Sequence, residues 1–494
     1  MQYVSTRAKD TIVSGAEAIV KGLSEDGGLF VPSEFPAITE QELFSMQDME
    51  YSERAAFVLS KFLSDFSIEE LNDYTKKAYD RFYDGDPCPL VAIDDKTYIL
   101  ELWHGPTCAF KDMALTLLPH LMVASRKKVG ETSKTLILVA TSGDTGKAAL
   151  EGFKDVEGCE IIVFYPSEGV SDMQKLQMQT QTGNNVYVCA IKGNFDDAQS
   201  AVKVIFNDDK VKNQLLENGY KLSSANSINW GRLVPQIAYY VSSYVDLLAS
   251  EDIKMGDKIN FCVPSGNFGN ILAGYYAYRM GVPINKLICA SNKNKVLTDF
   301  FNTGKYDINR DFYKTMSPSM DILISSNLER LLFEISGRND KYVAELMNSL
   351  KTKGYYEIDF VNFKENANNF EGGYSNEDMT MNTISDFYDE NDYLLDTHTA
   401  VAVGVYKAYS EQTGDNTKTV IVSTASPYKF PQDVYNALTG EMLEDSINAA
   451  EELEEYTGID IPEPLQNLQS RKVRFKDVIE KDKIKEAVLA AIKK

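Results

Sequence analysis

Lys111 has the clearest potential for chemistry in this sequence. It lies in the turn-rich stretch 104–112 (HGPTCAFKD), among small or apolar side chains, just before an apolar run predicted to be helical from Met113 to Met122. A lysine amine becomes a usable nucleophile at neutral pH when burial or a nearby cation lowers its pKa. The alternative is a structural lysine that packs its stem on apolar neighbours and keeps its amine in water.

Two polar loops that contain glycine each follow a predicted strand. The first, 141–146 (TSGDTG), precedes a predicted helix over 147–153, and the second, 264–270 (PSGNFGN), precedes one over 271–280. Such loops at helix N-termini can bind an anion through backbone N–H groups. The first loop could equally be an ordinary N-cap turn. A nucleotide P-loop is a poorer fit, because Ala148 stands where a Ser or Thr should bind magnesium.

A third loop, 423–431 (STASPYKFP), follows the last predicted strand and could be an ordinary strand end. A lysine in an apolar setting, together with two anion-binding loops, suggests a phosphate-bearing aldehyde cofactor condensed onto Lys111.

Short β-branched segments that alternate with helices from Lys96 onward must position these loops. Unbroken apolar strands separated by helices are typical of a parallel sheet covered on both faces, and ligands bind there where strand ends meet helix starts. The sequence therefore predicts an α/β fold. The predicted strands are 97–102, 135–140, 160–165, 185–191, 258–263, 286–290 and 419–423.

The rest of the chain suggests three regions. Residues 1–90 form a small, mainly helical N-terminal domain, and 91–440 form the catalytic α/β core with an acidic insertion at about 350–392. Residues 441–494 form a helical cap, with a final amphipathic helix from about 477 to 493.

Composition and charge exclude several classes of partner. With 50 Lys and Arg against 73 Asp and Glu, the net charge is −23, which argues against nucleic acid and anionic membranes as partners. No signal peptide and no apolar stretch of membrane-spanning length is present, so we expect a soluble cytoplasmic protein. The six cysteines are dispersed and without a CxxC pair, which predicts reduced thiols and no metal site. Oligomeric state stays open between monomer and homodimer.

The motifs above resemble the threonine synthase family, a branch of the fold type II (tryptophan-synthase-β-like) pyridoxal-phosphate enzymes. The resemblance rests on 104–112, on SGDTG at 142–146 and on PSGNFG at 264–269, and it covers nearly the whole chain. The family departs from this sequence at Thr397, where it often has Pro, and at Ser426, where many members have His. Further segments that are similar to the family are 5–7, 21–23, 26–32, 317–321, 325–330 and 398–400.

The resemblance implies a two-lobed fold type II core and the cofactor pyridoxal 5′-phosphate. In it, Lys111 is the Schiff-base lysine and the acid/base that moves protons during turnover. Asp144 lies near the 3′-oxygen of the cofactor, and Thr424 faces its pyridine nitrogen. The residues implied to hold the cofactor phosphate are Ser265, Gly266, Asn267, Phe268, Gly269 and Asn270.

The implied reaction converts O-phospho-L-homoserine and water to L-threonine and phosphate. Ser142, Gly143 and Thr145 are then expected near the substrate carboxylate. A second phosphate must be held at the far end of the substrate, and the stretch 224–232 offers a guanidinium with amide and hydroxyl donors for it.

The residues favoured for this second phosphate are Asn226, Ser227 and Arg232, with Lys429 as a weaker candidate. Without the family, Arg232 could equally be a surface residue behind a helix N-cap. His104 and His398 are expected to shape the pocket, and His120 to be a core histidine.

Two other functions compete with this one. The first is β-elimination from serine or threonine by a dehydratase-like lyase, which the N-terminal domain and Arg232 disfavour. The second is a non-catalytic phosphometabolite-binding protein on the same scaffold, which the intact Lys111 and both loops disfavour.

Overall fold

The computed structural model describes residues 1–141, 143–167, 170–193 and 195–492 of the protein. Its strands are β1 (Gln2–Ser5), β2 (Ile12–Ser14), β3 (Phe30–Pro32), β4 (Leu90–Ala92), β5 (Thr97–Glu101), β6 (Lys134–Ala140), β7 (Cys159–Pro166), β8 (Val186–Lys192), β9 (Tyr220–Ser223), β10 (Ile259–Pro264), β11 (Ile284–Ser291), β12 (Lys305–Asp307), β13 (Tyr355–Glu357), β14 (Phe370–Tyr374), β15 (Thr419–Ser423) and β16 (Val478–Glu480).

Helices connect and cover these strands. They are α1 (Gly15–Lys21), α2 (Glu40–Ser45), α3 (Tyr51–Phe62), α4 (Ile68–Tyr79), α5 (Asp112–Leu115), α6 (Leu118–Lys128), α7 (Asp144–Phe153), α8 (Asp172–Gln179), α9 (Phe195–Asn207), α10 (Asp209–Glu217), α11 (Trp230–Leu233), α12 (Pro235–Ala249), α13 (Gly269–Met280), α14 (Val296–Thr303), α15 (Leu328–Ile335), α16 (Asp340–Lys353), α17 (Phe360–Asn366), α18 (Glu377–Asn391), α19 (Thr397–Thr413), α20 (Pro431–Thr439), α21 (Ser446–Thr457) and α22 (Ile484–Ala491).

Two predominantly parallel sheets form the two lobes of the core. The first has the strand order β14-β11-β10-β15-β5-β4, and the second β16-β8-β7-β6-β9. Neighbouring strands in both sheets run parallel, except that β4 pairs antiparallel with β5. Every residue of β10 and β15 is buried, as expected for strands covered on both faces. The α/β prediction is confirmed, and each predicted strand is present within two residues of its expected ends.

The N-terminal region combines helices α1 to α4 with a small antiparallel sheet of order β2-β1-β3. The prediction of a mainly helical region did not include this sheet, because strands of three or four residues are too short to show a clear alternation. The region is fixed to the core by Arg7, whose guanidinium donates to both carboxylate oxygens of Glu329 at 2.8 and 2.7 Å.

The C-terminal region differs from the predicted cap. The prediction of a single helix from about 477 to 493 is wrong: Val478–Glu480 is strand β16, and the helix begins only at Ile484. β16 adds an edge strand to the second sheet by pairing with β8. The acidic stretch 350–392 contains β14, the edge strand of the first sheet.

The sequence also predicted reduced cysteines and no membrane-spanning segment. All six cysteines lie within the described residues and are free thiols. Among the described residues, no helix has the length and apolarity needed to cross a membrane.

Candidate active site

The loops that follow β5, β6, β10 and β15 line one cavity of about 1110 Å³. They bring Lys111, Asp144, residues 264–270 and Thr424 to its wall. In parallel sheets, the carboxyl ends of the strands are where ligands bind. The structure therefore gathers at one place residues that are far apart in the sequence.

The loop that carries Lys111 is held by a buried carboxylate. Asp112 accepts hydrogen bonds from the backbone N–H and the hydroxyl of Thr107, both at 2.7 Å. Gly105 packs so closely on Asp112 that a β-carbon there would lie 2.5 Å from the Asp112 Cβ. Burial raises the pKa of Asp112 to about 6. The sequence Gly105 to Asp112 thus fixes the direction in which Lys111 leaves the backbone.

The helix predicted from Met113 to Met122 is two helices. α5 ends at Leu115 and α6 begins at Leu118. Pro119 stands in the first turn of α6, where a proline without an N–H is tolerated and where it prevents a continuous helical ladder. Lys111 directly precedes the short first helix.

Lys111 is buried next to a carboxylate and near two other cations. Its side chain is 9% exposed, and its Nζ lies 3.5 Å from Oδ2 of Asp144. Burial lowers the pKa of Lys111, as do the charges of Arg232 and Lys429, while Asp144 acts in the opposite direction. The net lowering makes the unprotonated amine more accessible at neutral pH, which nucleophilic and acid/base roles require.

Asp144 is the first residue of α7, so this helix begins inside the predicted loop and not at residue 147. The hydroxyl of Thr141 accepts from the backbone N–H groups of Gly143 and Gly146, both at 2.9 Å, and so closes the turn. Burial raises the pKa of Asp144, but the charges of Lys429 and Lys111 outweigh it and hold the pKa far below its usual range. A permanent negative charge therefore faces Lys111.

The loop after β10 is pressed against a second segment of the chain. The backbone oxygen of Gly266 accepts from the Ser325 hydroxyl at 2.8 Å, and that of Asn267 accepts from the Asn327 backbone N–H at 3.1 Å. A β-carbon on Gly266 would lie 2.6 Å from the carbonyl oxygen of Ser319. Glycine at this position thus allows the two segments to approach each other.

Asn270 has an amide group that suits an anion. Its Oδ1 accepts from the hydroxyls of Tyr239 and Tyr240, both at 2.7 Å, which aims its NH2 group in the other direction. This buried Nδ2 has no hydrogen-bond partner within the described residues. The first N–H groups of α13, at Gly269 and Asn270, also lack acceptors inside the helix. An amide donor and a helix N-terminus at one wall fit a phosphate group, and hence a phosphate-bearing cofactor.

Other residues of this loop contribute differently. Phe268 has a left-handed backbone (φ 62°), and its ring packs against those of Phe301 and Phe370, with centroid distances of 5.8 Å to each. The hydroxyl of Ser265 donates to the carbonyl of Val263 at 3.0 Å. Phe268 therefore anchors the loop in the core, and Ser265 has its hydroxyl proton engaged with the backbone.

The late loop runs beside the lysine loop. The backbone carbonyl of Thr424 accepts from the Phe110 N–H at 2.8 Å, and Ala425 forms an antiparallel bridge with Ala109. These contacts bring the neutral hydroxyl side chain of Thr424 into the cavity wall next to Lys111.

Arg232 is a buried cation that no carboxylate neutralises within the described part of the chain. Its side chain is 5% exposed, lines the cavity and donates to the carbonyl of Ala225 at 2.9 Å. Burial lowers its pKa to about 10, with no carboxylate to offset the effect. Asn226 and Ser227 line the same wall, and Ser227 lies 3.5 Å from the position of a β-carbon on Gly269. A buried charge without a partner is costly, so an anionic ligand fits here.

The N-terminal region also reaches this wall. The side-chain amide of Asn229 donates to the carbonyl of Ile19 at 3.0 Å, and Val20, Ser24 and Gly27 line the cavity. The sequence prediction assigned no site role to these residues, because only the tertiary fold brings α1 beside the segment of Arg232.

Several predicted residues lie elsewhere or are engaged. Ser142 lies outside the described residues. Thr145 lines the cavity, whereas Gly143 is not among the lining residues, and its N–H is bound to Thr141. Lys429 is 0% exposed and donates to Gln177 at 2.6 Å, so it lies behind the cavity wall.

The three histidines have different settings. His398 lines the cavity and accepts from the backbone N–H of Ser319 at 3.1 Å, in agreement with a pocket-shaping role. His104 lies outside the cavity lining and contacts Glu101 at 2.7 Å. His120 is half-buried and stacks on Tyr74 at 6.1 Å.

Ser319 and Gln174 are site residues that sequence reasoning missed. The Ser319 hydroxyl donates to Oδ2 of Asp144 at 3.3 Å, and the Gln174 amide donates to Oδ1 at 2.8 Å. Segment 317–321 resembled the family, but the resemblance gave it no role. Gln174 carries no local signal, because its place depends on how α8 packs on α7.

Comparison with known proteins gives a consistent result along the whole chain. Residues 2–79 match the family model described as threonine synthase N terminus, 87–425 the one described as pyridoxal-phosphate dependent enzyme, and 399–489 the one described as threonine synthase, C-terminal.

Individual proteins and a solved structure agree with these models. The threonine synthase of Pseudomonas aeruginosa is 38% identical over 89% of this chain and 91% of its own length. A pyridoxal-phosphate-bound threonine synthase structure from Brucella melitensis is 36% identical, with a TM-score of 0.88 over 100% of both chains.

Some relatives are much longer than this chain. The threonine synthase-like 1 protein of Macaca fascicularis is 41% identical over 86% of this chain, and the match spans only 58% of that relative's length.

Proposed function

The chain belongs to the threonine synthase family of pyridoxal-phosphate-dependent enzymes, and we propose that it converts O-phospho-L-homoserine and water to L-threonine and phosphate. Family membership supplies the fold and the cofactor. The reaction and the residue roles are inferred from the cavity.

The observation that carries this proposal is the unneutralised guanidinium of Arg232. Of the buried charged side chains that line the cavity, Lys111 and Asp144 face each other, whereas Arg232 has, among the described residues, only the carbonyl of Ala225 as a hydrogen-bond partner. A substrate with a phosphate at its far end supplies the missing anion, and Arg recognises phosphate through a planar set of donors. Serine and threonine have no such group, so a dehydratase has no use for this charge.

A second anion site lies on the adjacent wall. The side-chain amide of Asn270, whose NH2 group has no hydrogen-bond partner among the described residues, and the N-terminus of α13 suit the cofactor phosphate. Ser227 lies close to Gly269 at the start of that helix, so the two walls meet. Two separate phosphate-binding walls in one cavity are what a phosphorylated substrate and a phosphorylated cofactor together require.

When bound, pyridoxal phosphate supplies an electron sink that stabilises negative charge on the carbon skeleton of an amino acid. Lys111 holds the cofactor and, once its amine is released, takes a proton from the substrate and returns it to a neighbouring carbon. Its lowered pKa favours the first step, and the carboxylate of Asp144 at 3.5 Å stabilises the proton that it has taken.

The chain also fixes the substrate against this amine. Arg232, with Asn226 and Ser227, binds the remote phosphate while proton transfers occur at the carbons near Lys111. Binding energy from a remote group then holds the reacting carbons in place, and this converts affinity into rate.

A product assay tests the proposal. The purified protein, supplied with pyridoxal phosphate and O-phospho-L-homoserine, is expected to release phosphate and to form threonine. Formation of 2-oxo acids from serine or threonine, with no phosphate released from O-phospho-L-homoserine, would assign the protein to the dehydratase-like alternative.

A further inference from the structure

Lys429 is a buried lysine whose amine contacts three separate parts of the site. Its side chain is 0% exposed, and its Nζ donates to the carbonyl of Thr107 at 3.1 Å and to Oε1 of Gln177 at 2.6 Å. It also lies 3.1 Å from Oδ1 of Asp144. The ammonium group thus has two hydrogen bonds and one ion pair, all with buried residues.

The two oxygens of Asp144 have different partners. Oδ1 is held by Lys429 and by the amide of Gln174 at 2.8 Å. Oδ2 faces the cavity, where Lys111 lies at 3.5 Å and the Ser319 hydroxyl at 3.3 Å. The back of the carboxylate is therefore fixed by Lys429, and its front is directed at the amine that does the chemistry.

The charge of Lys111 changes during any acid/base role, whereas that of a lysine behind the wall need not. Asp144 is 3% exposed, and a buried carboxylate with no cation beside it takes up a proton. A second cation stays beside Asp144 when Lys111 gives up its proton or binds the cofactor. The carboxylate then remains ionised.

We propose that Lys429 is a positioning residue, which keeps the carboxylate of Asp144 ionised and directed at Lys111 and does not contact the substrate phosphate. The inference rests on the proposed function only in taking Lys111 as the residue that binds the cofactor. In this assignment Lys429 controls the protonation of Asp144, and Arg232 binds the substrate phosphate.

Other titratable side chains face Lys429 or Asp144. The test must distinguish their titration from that of Asp144. These side chains are Lys111, Asp112, Cys108, Lys147 and His398. Asp112 is the most important of them, because its pKa of about 6 falls within the pH range of interest.

The test measures cofactor attachment to Lys111 and needs no substrate. Protein with pyridoxal phosphate is reduced with borohydride at pH values from 5 to 9, and mass spectrometry of the Lys111 peptide gives the attached fraction. In the wild type, Asp144 stays ionised throughout this range. Burial without a charged partner raises the pKa of a carboxyl group by up to about 3–5 units. Lys429→Met is therefore expected to show an additional transition above pH 5, where Asp144 loses its proton.

The second mutation identifies the group that titrates. In Lys429→Met combined with Asp144→Asn, the additional transition is expected to disappear, because the asparagine amide has no proton to lose in this pH range. Lys429→Gln keeps N–H donors without the charge, and is expected to show the same transition if Lys429→Met does not fold. Lys147→Met is the matched control: it removes another buried lysine, which pairs with Glu151 at 3.2 Å, and should keep the wild-type profile.

Two results would overturn the inference. One is a wild-type pH profile in both Lys429 variants. The other is an additional transition that persists in the double variant, which would assign it to Asp112 or another neighbour. Because no O-phospho-L-homoserine is used, the result is independent of whether the proposed reaction occurs.

Discussion

The α-carbon of Gly266 lies so close to Ser319 that a β-carbon there would be 2.6 Å from the Ser319 carbonyl oxygen. Gly269, three residues further on, has ordinary space: a β-carbon would meet Asn327 at 3.4 Å and Ser227 at 3.5 Å. The two glycines of this loop were expected to have the same role, and the structure distinguishes them.

Gly266→Ala is therefore expected to weaken cofactor binding by at least about tenfold, or about 1.4 kcal/mol, because the loop must move away from Ser319. Gly269→Ala is the matched control and should bind nearly as well as the wild type. Fluorescence titration of the cofactor-free protein with pyridoxal phosphate measures both affinities. Equal affinities of the two variants would show that the close approach to Ser319 does not shape the phosphate site.

Asn270→Asp tests the cofactor anchor without a change of shape. The variant keeps the acceptor for Tyr239 and Tyr240, but it replaces the NH2 group, which has no partner in the described part of the chain, by a second oxygen. Loss of a charge-assisted hydrogen bond costs about 1.5–3 kcal/mol, so the dissociation constant of the cofactor should rise by about 10–150-fold. Asn369→Asp is the control, since its buried Nδ2 also has no partner within the described residues but it does not line the cavity. If both variants lose affinity equally, Asn270 does not hold the phosphate.

Arg232→Met tests the substrate-phosphate site. The loss of a charge-assisted contact is expected to lower kcat/KM for O-phospho-L-homoserine by about 10–150-fold. Slow β-elimination from serine, which has no phosphate, should be little affected, and the yellow colour of the bound cofactor should remain. Parallel assays of both substrates decide the matter, because equal losses on the two would make Arg232 a structural residue.

His104 gives a prediction for stability and pH. Burial lowers its pKa, but Glu101 and Asp84 outweigh this, so the pKa in the folded protein is raised above its ordinary value of about 6.5. A raised folded pKa stabilises the protein fully below about pH 6.5, and this stabilisation is lost as pH rises through the folded value. His104→Gln should therefore lower the melting temperature by a few degrees at pH 6 and by much less at pH 9.

His120 is a control, because its pKa is shifted in the opposite direction to that of His104. Burial lowers its pKa, so protonation destabilises the folded state and the wild type loses stability as pH falls. The melting-temperature difference between wild type and His120→Gln should then change in the reverse direction. Differences that do not vary with pH at either position would contradict the account of these two side chains.

The strands and the loops that line the cavity could be predicted because their signals are local. β15 and β10 are continuous apolar segments, and the loops that follow them combine glycine with hydroxyl and amide side chains. A strand that is buried on both faces must be apolar along its whole length, so its sequence shows it without knowledge of its packing partners. Lys111 also has a local signal, its small and apolar neighbours, whereas the segment around Arg232 was assigned to a phosphate only through the reaction that the family resemblance implies.

Contacts between distant segments could not be predicted in this way. Lys429 and Asp144 are 285 positions apart, and nothing near either residue indicates that they form an ion pair. The residues of β16 were predicted to belong to a helix. They form a strand by pairing with β8, and the local sequence does not show that this pairing exists. Gln174 and Ser319 reach Asp144 only through tertiary packing.

The most direct test of the central claim follows oxygen from water into the product. The wild-type protein with pyridoxal phosphate and O-phospho-L-homoserine in H2(18)O is expected to form threonine and phosphate in equal amounts, with the label in the threonine hydroxyl. The Lys111→Ala variant should form neither. Phosphate release without threonine, or threonine whose hydroxyl carries no label, would contradict the proposed elimination of phosphate followed by addition of water.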